Sequence, residues 1–369
     1  MTDELTRLTA PGVAGLQPYI PGKPLEELAR EYGIRDAIKL ASNENPLGPS
    51  PKALEAIRAA LPDLARYPEG GGVALKAALA ARLGVAPAQL TLGNGSNEIL
   101  ELMARAFVTP ADEVVFAEHA FAMYPIVTQA AGARAVVVPA RDYGHDLPAM
   151  ARAITARTKL IFLANPNNPT GTWFGREALA EFLGAVPRRV LVVLDEAYFD
   201  FVTEAAYPNG IGFLAAHPNL VVTRTFSKAY GLAGLRIGFG VSSAGLAELL
   251  NRVRQPFNVS LPAQAGALAA LDDAGHLNKT LANNARGMAQ LIAGFEALGL
   301  PYIPSAGNFV CVEVGAAGQW YEALLRAGVI VRPVANYGLP RHLRVTVGLP
   351  EENARFLKAL GHALGAVQP

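Results

Sequence analysis

Five short apolar runs rich in β-branched residues constrain this chain more than any other feature. They are Val114–Phe116, Ala135–Val138, Leu160–Leu163, Val190–Leu194 and Leu220–Arg224. Each is unbroken rather than alternating, which predicts strands covered on both faces, as in a parallel sheet wrapped by helices. Helical stretches separate them. In Asn97–Phe107, for example, Ile99, Leu102, Met103 and Ala106 share one face at helical spacing. Alternation of this kind predicts an α/β domain built on a mostly parallel sheet.

The pattern changes after about Gln255. An alanine-rich helical region over Leu261–Ala297 is followed by a strand at Asn308–Val314, another at His342–Val347 and a closing helix from Glu351 to Leu364. Helices segregated from a few strands predict a smaller α+β domain. The chain has 369 residues, 51% of them hydrophobic, enough for two such units. The first 45 residues are too short to fold alone and are expected to join the smaller unit, so both chain ends build it. The expected division is 1–45, a large domain over 46–255 and a small domain over 256–369. Ser42–Pro51, dense in Asn, Pro and Gly, reads as an irregular connector.

Charge excludes some functions. With 32 basic and 31 acidic side chains the formal net charge is +1, and no basic stripe of a nucleic-acid binder is present. One cysteine, Cys311, excludes an internal disulfide and fits a reducing compartment. The first residues are charged and no apolar run approaches the roughly 18 residues of a membrane span, so a soluble, cytoplasmic protein is expected. Asn94, Asn258 and Asn278 begin glycosylation-type triplets, and in such a protein they are ordinary polar residues.

Four segments carry chemistry. Thr225-Phe-Ser-Lys228 leads through a glycine-containing apolar stretch to Arg236. A lysine in such surroundings is partly desolvated, which lowers its pKa and makes it a nucleophile for carbonyl carbon. Neighbouring hydroxyls and a guanidinium suit a phosphate dianion. Together they point to an aldehyde cofactor bearing a phosphate, pyridoxal phosphate, although an isolated match of this type also fits a surface lysine. Asp195-Glu-Ala-Tyr198 ends the strongest strand. A carboxylate there needs a partner, either a structural ion pair or a protonated ring nitrogen. Asn165-Pro-Asn-Asn-Pro-Thr-Gly171 follows another strand, at the edge where open sheets bind ligands, and also suits a plain prolyl loop. Gly93-Asn-Gly-Ser-Asn97 opens a helix and fits either an anion site or a tight turn capped by Ser96 or Asn97.

In this order and spacing the four segments resemble the fold type I pyridoxal-phosphate-dependent aminotransferases, over essentially the whole chain. Pro18–Lys23, Lys39–Gly48, Arg66–Pro68 and Leu343–Gly348 look like the histidinol-phosphate aminotransferase branch, which also holds enzymes acting on aromatic amino acids. The resemblance implies a sheet of the seven-stranded type between helices. It implies Lys228 as the residue bonded to the cofactor aldehyde, Asp195 on the ring nitrogen, and Asn168 and Tyr198 on the 3-oxygen. Ser96, Asn97, Thr225, Ser227 and Arg236 are implied at the phosphate, with Tyr67 reaching the phosphate of a neighbouring subunit in a homodimer. Phe121 stands where a tyrosine often stacks over the ring, so that hydroxyl is absent. Arg344, with Arg332 and Tyr19, is implied in substrate binding. A guanidinium clamps a carboxylate or a phosphate equally well, so the implied reaction passes an amino group between histidinol phosphate and 2-oxoglutarate, a step of histidine biosynthesis. Transamination of phenylalanine or tyrosine on the same scaffold is the alternative, followed by a decarboxylase acting on an amino-acid phosphate. A cofactor-binding regulatory module is a fourth reading, disfavoured because such modules usually carry a DNA-binding segment and the N-terminal residues here are too few and too uncharged for one.

Overall fold

The computed structural model describes residues 2–365, and the last four residues of the expected small domain, like Met1, lie outside them. Thirteen strands occur among the described residues: β1 (Ile38–Lys39), β2 (Leu90–Asn94), β3 (Glu113–Ala117), β4 (Arg134–Val138), β5 (Thr158–Ala164), β6 (Leu191–Asp195), β7 (Leu220–Thr225), β8 (Ile237–Val241), β9 (Tyr302–Ile303), β10 (Phe309–Glu313), β11 (Val329–Ile330), β12 (Arg332–Pro333) and β13 (His342–Thr346). Seven form one sheet in the order β2-β8-β7-β6-β5-β3-β4. The pairs β4/β3, β3/β5, β5/β6 and β6/β7 are parallel, and β8 runs against both of its neighbours.

The unbroken apolar runs do bury both faces. Val115, Ile161, Leu163, Val192, Leu194 and Val222 belong to one core cluster, while Val114, Phe116, Leu160, Phe162, Val193 and Val221 belong to another on the opposite side. Alternate residues of a strand point to opposite faces, so a fully apolar strand feeds two cores at once. The run Ala135–Val138 departs from this expectation. It lies in β4 at the sheet edge, and Val137 is 50% exposed.

β2 and β8 carry no apolar run in the sequence, because glycines interrupt them. Those glycines answer to packing: a Cβ on Gly238 would lie 2.4 Å from the Ser96 backbone nitrogen, and one on Gly240 would lie 3.1 Å from Ile99. A second sheet, β12-β13-β10-β9, is antiparallel throughout. β1 pairs in parallel with β11, which ties the first forty residues to the last part of the chain. The expected helical region over Leu261–Ala297 is two helices, Leu261–Leu271 and Ala274–Ala297. The break falls at Asp272-Asp273, where the Asp273 side chain accepts from the His276 N–H and caps the second helix.

Candidate active site

Ligands of open α/β sheets bind beyond the carboxyl ends of the strands, and here that edge opens on a cleft of about 900 Å³, counting the part open to solvent. β2 ends at Asn94 and leads into Gly95 and Ser96, β5 leads into the Asn165–Gly171 loop, β6 ends at Asp195, and β7 ends at Thr225 before Ser227 and Lys228. β8 runs the opposite way, so its amino end brings Arg236 to the same edge. Ser96, Asn97, Phe121, Asn168, Asp195 and Tyr198 all line this one cleft. So do Thr225, Ser227, Lys228 and Arg236, with Tyr19, Arg332 and Arg344 on the facing side. Tyr67 is not brought there: it is 81% exposed and stacks on Phe257 with ring centroids 4.6 Å apart.

One end of the cleft is built for a dianion. The helix Ser96–Phe107 begins after Gly95, and no side chain caps its first turn, contrary to the capped-turn alternative. Its leading N–H groups and dipole therefore favour negative charge. Gly95 has φ +75°, and a Cβ there would lie 2.4 Å from Arg236 Nη2, so glycine is what lets the guanidinium approach the helix start. Arg236 Nη1 lies 3.4 Å from Ser227 Oγ, and the Ser227 N–H donates to Thr225 Oγ1 at 3.1 Å. A guanidinium, three hydroxyls and a helix start fit a phosphate monoester.

The middle of the cleft is set for a polar aromatic ring. Asp195 is 6% exposed and accepts from Tyr124 Oη at 3.0 Å and Thr223 Oγ1 at 3.0 Å. Burial raises its pKa, against those hydrogen bonds and the Ala197 N–H. The ion pair that could have claimed Asp195 is made by its neighbour: Glu196 accepts from Arg224 Nε and Nη2 at 2.9 and 2.7 Å. Successive strand-end residues point opposite ways, so one carboxylate is structural and the other faces the cleft. Lys228 Nζ donates to the Ser42 carbonyl at 3.0 Å. Burial, then Arg344, brings the amine's pKa down to about 7, with Glu44 opposing and Arg236 assisting.

That value makes a prediction. In the cofactor-free protein an amine-selective acylating reagent should modify Lys228 with half-maximal rate near pH 7, well before exposed lysines at their ordinary value. Because the folded pKa lies below the unfolded one, the unfolded chain binds the extra proton between about pH 7 and 10.5, so this group makes stability rise with pH across that window. Peptide mapping of labelled protein checks the midpoint, and a Lys228 that reacts only near pH 10 overturns it.

The facing side holds two buried guanidiniums. β12 and β13 are antiparallel, and Arg332 is the direct cross-strand partner of Arg344. They are 7% and 5% exposed, and their hydrogen bonds go to neutral acceptors: Ile20 O for Arg332, Asn168 Oδ1 and Ala41 O for Arg344. Like charges directly opposite are destabilising, and Arg344 Nε is buried with no acceptor. This arrangement suits an anion.

Several contributors escape sequence reasoning. Ala41 and Ser42 act through carbonyls, which no side-chain motif reveals. Asn43 Nδ2 donates to Tyr198 Oη at 2.8 Å from 155 residues away. Tyr124 and Thr223 hold Asp195, and only the helix spacing after Phe121 could have hinted at the first. The asparagine loop is partly self-supporting, since Asn167 donates to Thr170 Oγ1, while Asn168 turns to Arg344.

Known proteins resemble this chain along nearly its whole length. The sequence profile of aminotransferase class I and II matches residues 35–360. Histidinol-phosphate aminotransferase 2 of Pseudomonas fluorescens Pf-5 is 61% identical over 367 residues, 99% of each chain. Histidinol-phosphate aminotransferase 1 of Nitrosococcus oceani is 57% identical over 96% of each. The crystal structure of histidinol-phosphate aminotransferase from Sinorhizobium meliloti, in complex with pyridoxal-5'-phosphate, superposes with a TM-score of 0.91 at 32% identity, covering 97% of this chain and 98% of that one. The chain belongs to the class I and II aminotransferases, and within them to the histidinol-phosphate aminotransferase family.

Proposed function

We propose that this chain uses pyridoxal phosphate to transfer an amino group between histidinol phosphate and 2-oxoglutarate, giving imidazole-acetol phosphate and glutamate, as a step of histidine biosynthesis. The observation that carries the reading is a single cleft holding a buried amine near neutral pKa, a buried carboxylate without its own cation, and a phosphate cradle. When bound, the cofactor supplies an electron-accepting ring that takes up charge from the substrate's α-carbon. Asp195 holds a proton on the ring nitrogen. Asn168 and Tyr198 serve the 3-oxygen, and Phe121 offers an apolar face to the ring. Ser96, Asn97, Thr225, Ser227 and Arg236 hold the phosphate. Lys228 Nζ would hold the cofactor's aldehyde carbon and would move a proton to and from the substrate's α-carbon.

Arg332 and Arg344 orient the substrate by its anionic group. A pair of guanidiniums receives a phosphate monoester in one half-reaction and a carboxylate in the other. Tyr19 belongs to this end, its ring 5.8 Å from the Arg332 guanidinium. Phe121 and Tyr19, 6.5 Å apart edge to face, also offer a wall to a phenyl ring. That contact is what favours the second reading, an aromatic amino-acid aminotransferase. Turnover with histidinol phosphate and with phenylalanine, at matched concentrations and with 2-oxoglutarate as acceptor, separates them. The proposal expects histidinol phosphate to be used at least tenfold better, a difference of about 1.4 kcal/mol in transition-state binding. Good use of phenylalanine with none of histidinol phosphate overturns it.

The same reading includes a homodimer in which Tyr67, exposed and away from its own cleft, reaches the cofactor phosphate of the partner subunit. It also includes a cytoplasmic location and the division at about residues 45 and 255. None of the described helices is long and apolar enough to cross a membrane.

A further inference from the structure

The segment Ala41-Ser42-Asn43 touches three cleft residues in succession: Arg344 through the Ala41 carbonyl, Lys228 through the Ser42 carbonyl and Tyr198 through the Asn43 side chain. Asn43 is 1% exposed and left-handed, with φ 55°, a conformation open mainly to Gly, Asn and Asp. Its amide orientation gives the buried Thr346 hydroxyl proton an acceptor. The Asn43 N–H donates to Thr346 Oγ1 at 2.9 Å, and Thr346 has a single hydroxyl proton, which it gives to Asn43 Oδ1 at 3.1 Å. Asn308 Nδ2 holds the Asn43 carbonyl at 3.1 Å from the other side. With Oδ1 accepting from Thr346, Nδ2 faces Tyr198 and donates to it at 2.8 Å, whereas the flipped amide would leave the Thr346 proton without this acceptor.

We infer that Asn43 is a positioning residue that sets the direction of the Tyr198 hydroxyl: the amide N–H donates to the phenol oxygen, so the phenol proton points into the cleft and is offered to the ligand's ring oxygen. A hydroxyl that already accepts a hydrogen bond is a stronger donor, because linked hydrogen bonds polarise one another. The inference rests on the assignment of pyridoxal phosphate to this cleft. The charged and titratable groups around Tyr198 are Arg344, Asp195, Tyr19 and Lys228, whose ammonium lies 5.8 Å from the Tyr198 ring centroid. Among them Arg344 and the Asn43 hydrogen bond favour the ionised phenol, against burial, Asp195 and Tyr19. Arg344 is itself engaged by Asn168 and Ala41, which leaves Asn43 as the neutral group donating to the phenol oxygen.

The test is a visible-absorption pH titration of the holoenzyme without substrate. The yellow band changes with the proton that would lie between the Lys228 nitrogen and the cofactor's 3-oxygen, and a strong donor at Tyr198 would satisfy that oxygen in the proton's place, so the proton is lost at lower pH. Asn43→Gly keeps the left-handed backbone and removes the amide. It should move the midpoint upward by about half a pH unit, and Asn43→Asp, which can only accept from Tyr198, should move it further. In a Tyr198→Phe background Asn43→Gly should move it no further, since no phenol remains to orient. Thr346→Val, which removes both the hydroxyl proton that holds Asn43 Oδ1 and the acceptor of the Asn43 N–H, should give a smaller shift in the same direction and serves if Asn43→Gly does not fold. An unmoved midpoint in folded variants, or an equal shift with Phe at 198, overturns the inference. A wild-type protein that takes up no pyridoxal phosphate and shows no yellow band overturns the assignment of the cleft instead.

Discussion

Replacing Lys228 with alanine should abolish turnover while leaving a protein that still binds pyridoxal phosphate. The phosphate cradle around Gly95, Ser96, Thr225, Ser227 and Arg236 does not depend on the lysine, and neither does the pairing of Asp195 with Tyr124 and Thr223. What is lost is the amine whose pKa burial has brought to about 7. Near that value an amine has a nucleophilic population at neutral pH, and its conjugate acid can still return a proton. Losing a positioned acid–base group alone costs about 10²–10⁴ in rate. Losing the covalent tether as well puts the expected fall in kcat at the upper end, roughly 10⁴ or more. Borohydride should fix the cofactor to Lys228 in the wild-type protein, located by mass in the peptide around Thr225–Arg236, and should fix nothing in the variant. Small primary amines added to Lys228→Ala should restore part of the rate, because they supply the missing base without its tether. A variant that still fixes the cofactor, or keeps more than a tenth of wild-type turnover, would falsify the role.

Much of this cleft is legible in the sequence because its cofactor-facing residues sit at strand ends. Asp195, Thr225 and Lys228 follow apolar runs strong enough to place them without coordinates, and a strand end at the carboxyl edge of a parallel sheet is where ligands collect. Legibility fails where packing replaces pattern. β8 carries no unbroken apolar run because Gly238 and Gly240 make room for Ser96 and Ile99, yet β8 is the strand that carries Arg236 to the phosphate end. The Arg332–Arg344 pair is likewise invisible before the hairpin register is known, since each arginine alone is an ordinary strand residue. Asn43 sits in a segment that reads only as turn formers. Its contact with Tyr198 spans 155 positions, and its amide oxygen is held by a Thr346 hydroxyl 303 positions away. Local composition predicts elements, whereas these three features depend on which distant backbone lies alongside.

Asp195→Asn should have the second largest effect, and it should move activity and stability in opposite directions. Asparagine nearly matches the carboxylate in shape and can still accept from Thr223 Oγ1, so the cleft should keep its form. It carries no charge. Two unit charges about 4 Å apart at an effective dielectric of about 20 attract by about 4 kcal/mol. Losing that attraction where the ring nitrogen takes up charge slows the reaction by about a thousandfold. Removing only a hydrogen-bond donor, as in Thr223→Val, should cost about one to two powers of ten at most. Stability answers to the same carboxylate with the other sign. Burial raises the Asp195 pKa, so in the cofactor-free protein the native state holds its proton more tightly than the unfolded chain. Stability therefore falls as pH rises from the ordinary carboxylate value through the raised one, and the full cost is present above it. The neutral amide escapes that cost. Cofactor-free Asp195→Asn should melt no lower than cofactor-free wild type at pH 8, and its advantage should shrink as pH falls through the raised value toward the ordinary carboxylate value. Paired melting curves at pH 8 and pH 4, alongside kcat/KM, test both halves. A variant that melts lower at pH 8 would make Asp195 a structural carboxylate. One that turns over within tenfold of wild type would remove it from the chemistry. The expected result, slower and no less stable, marks a charge kept in the core for the ligand it meets there.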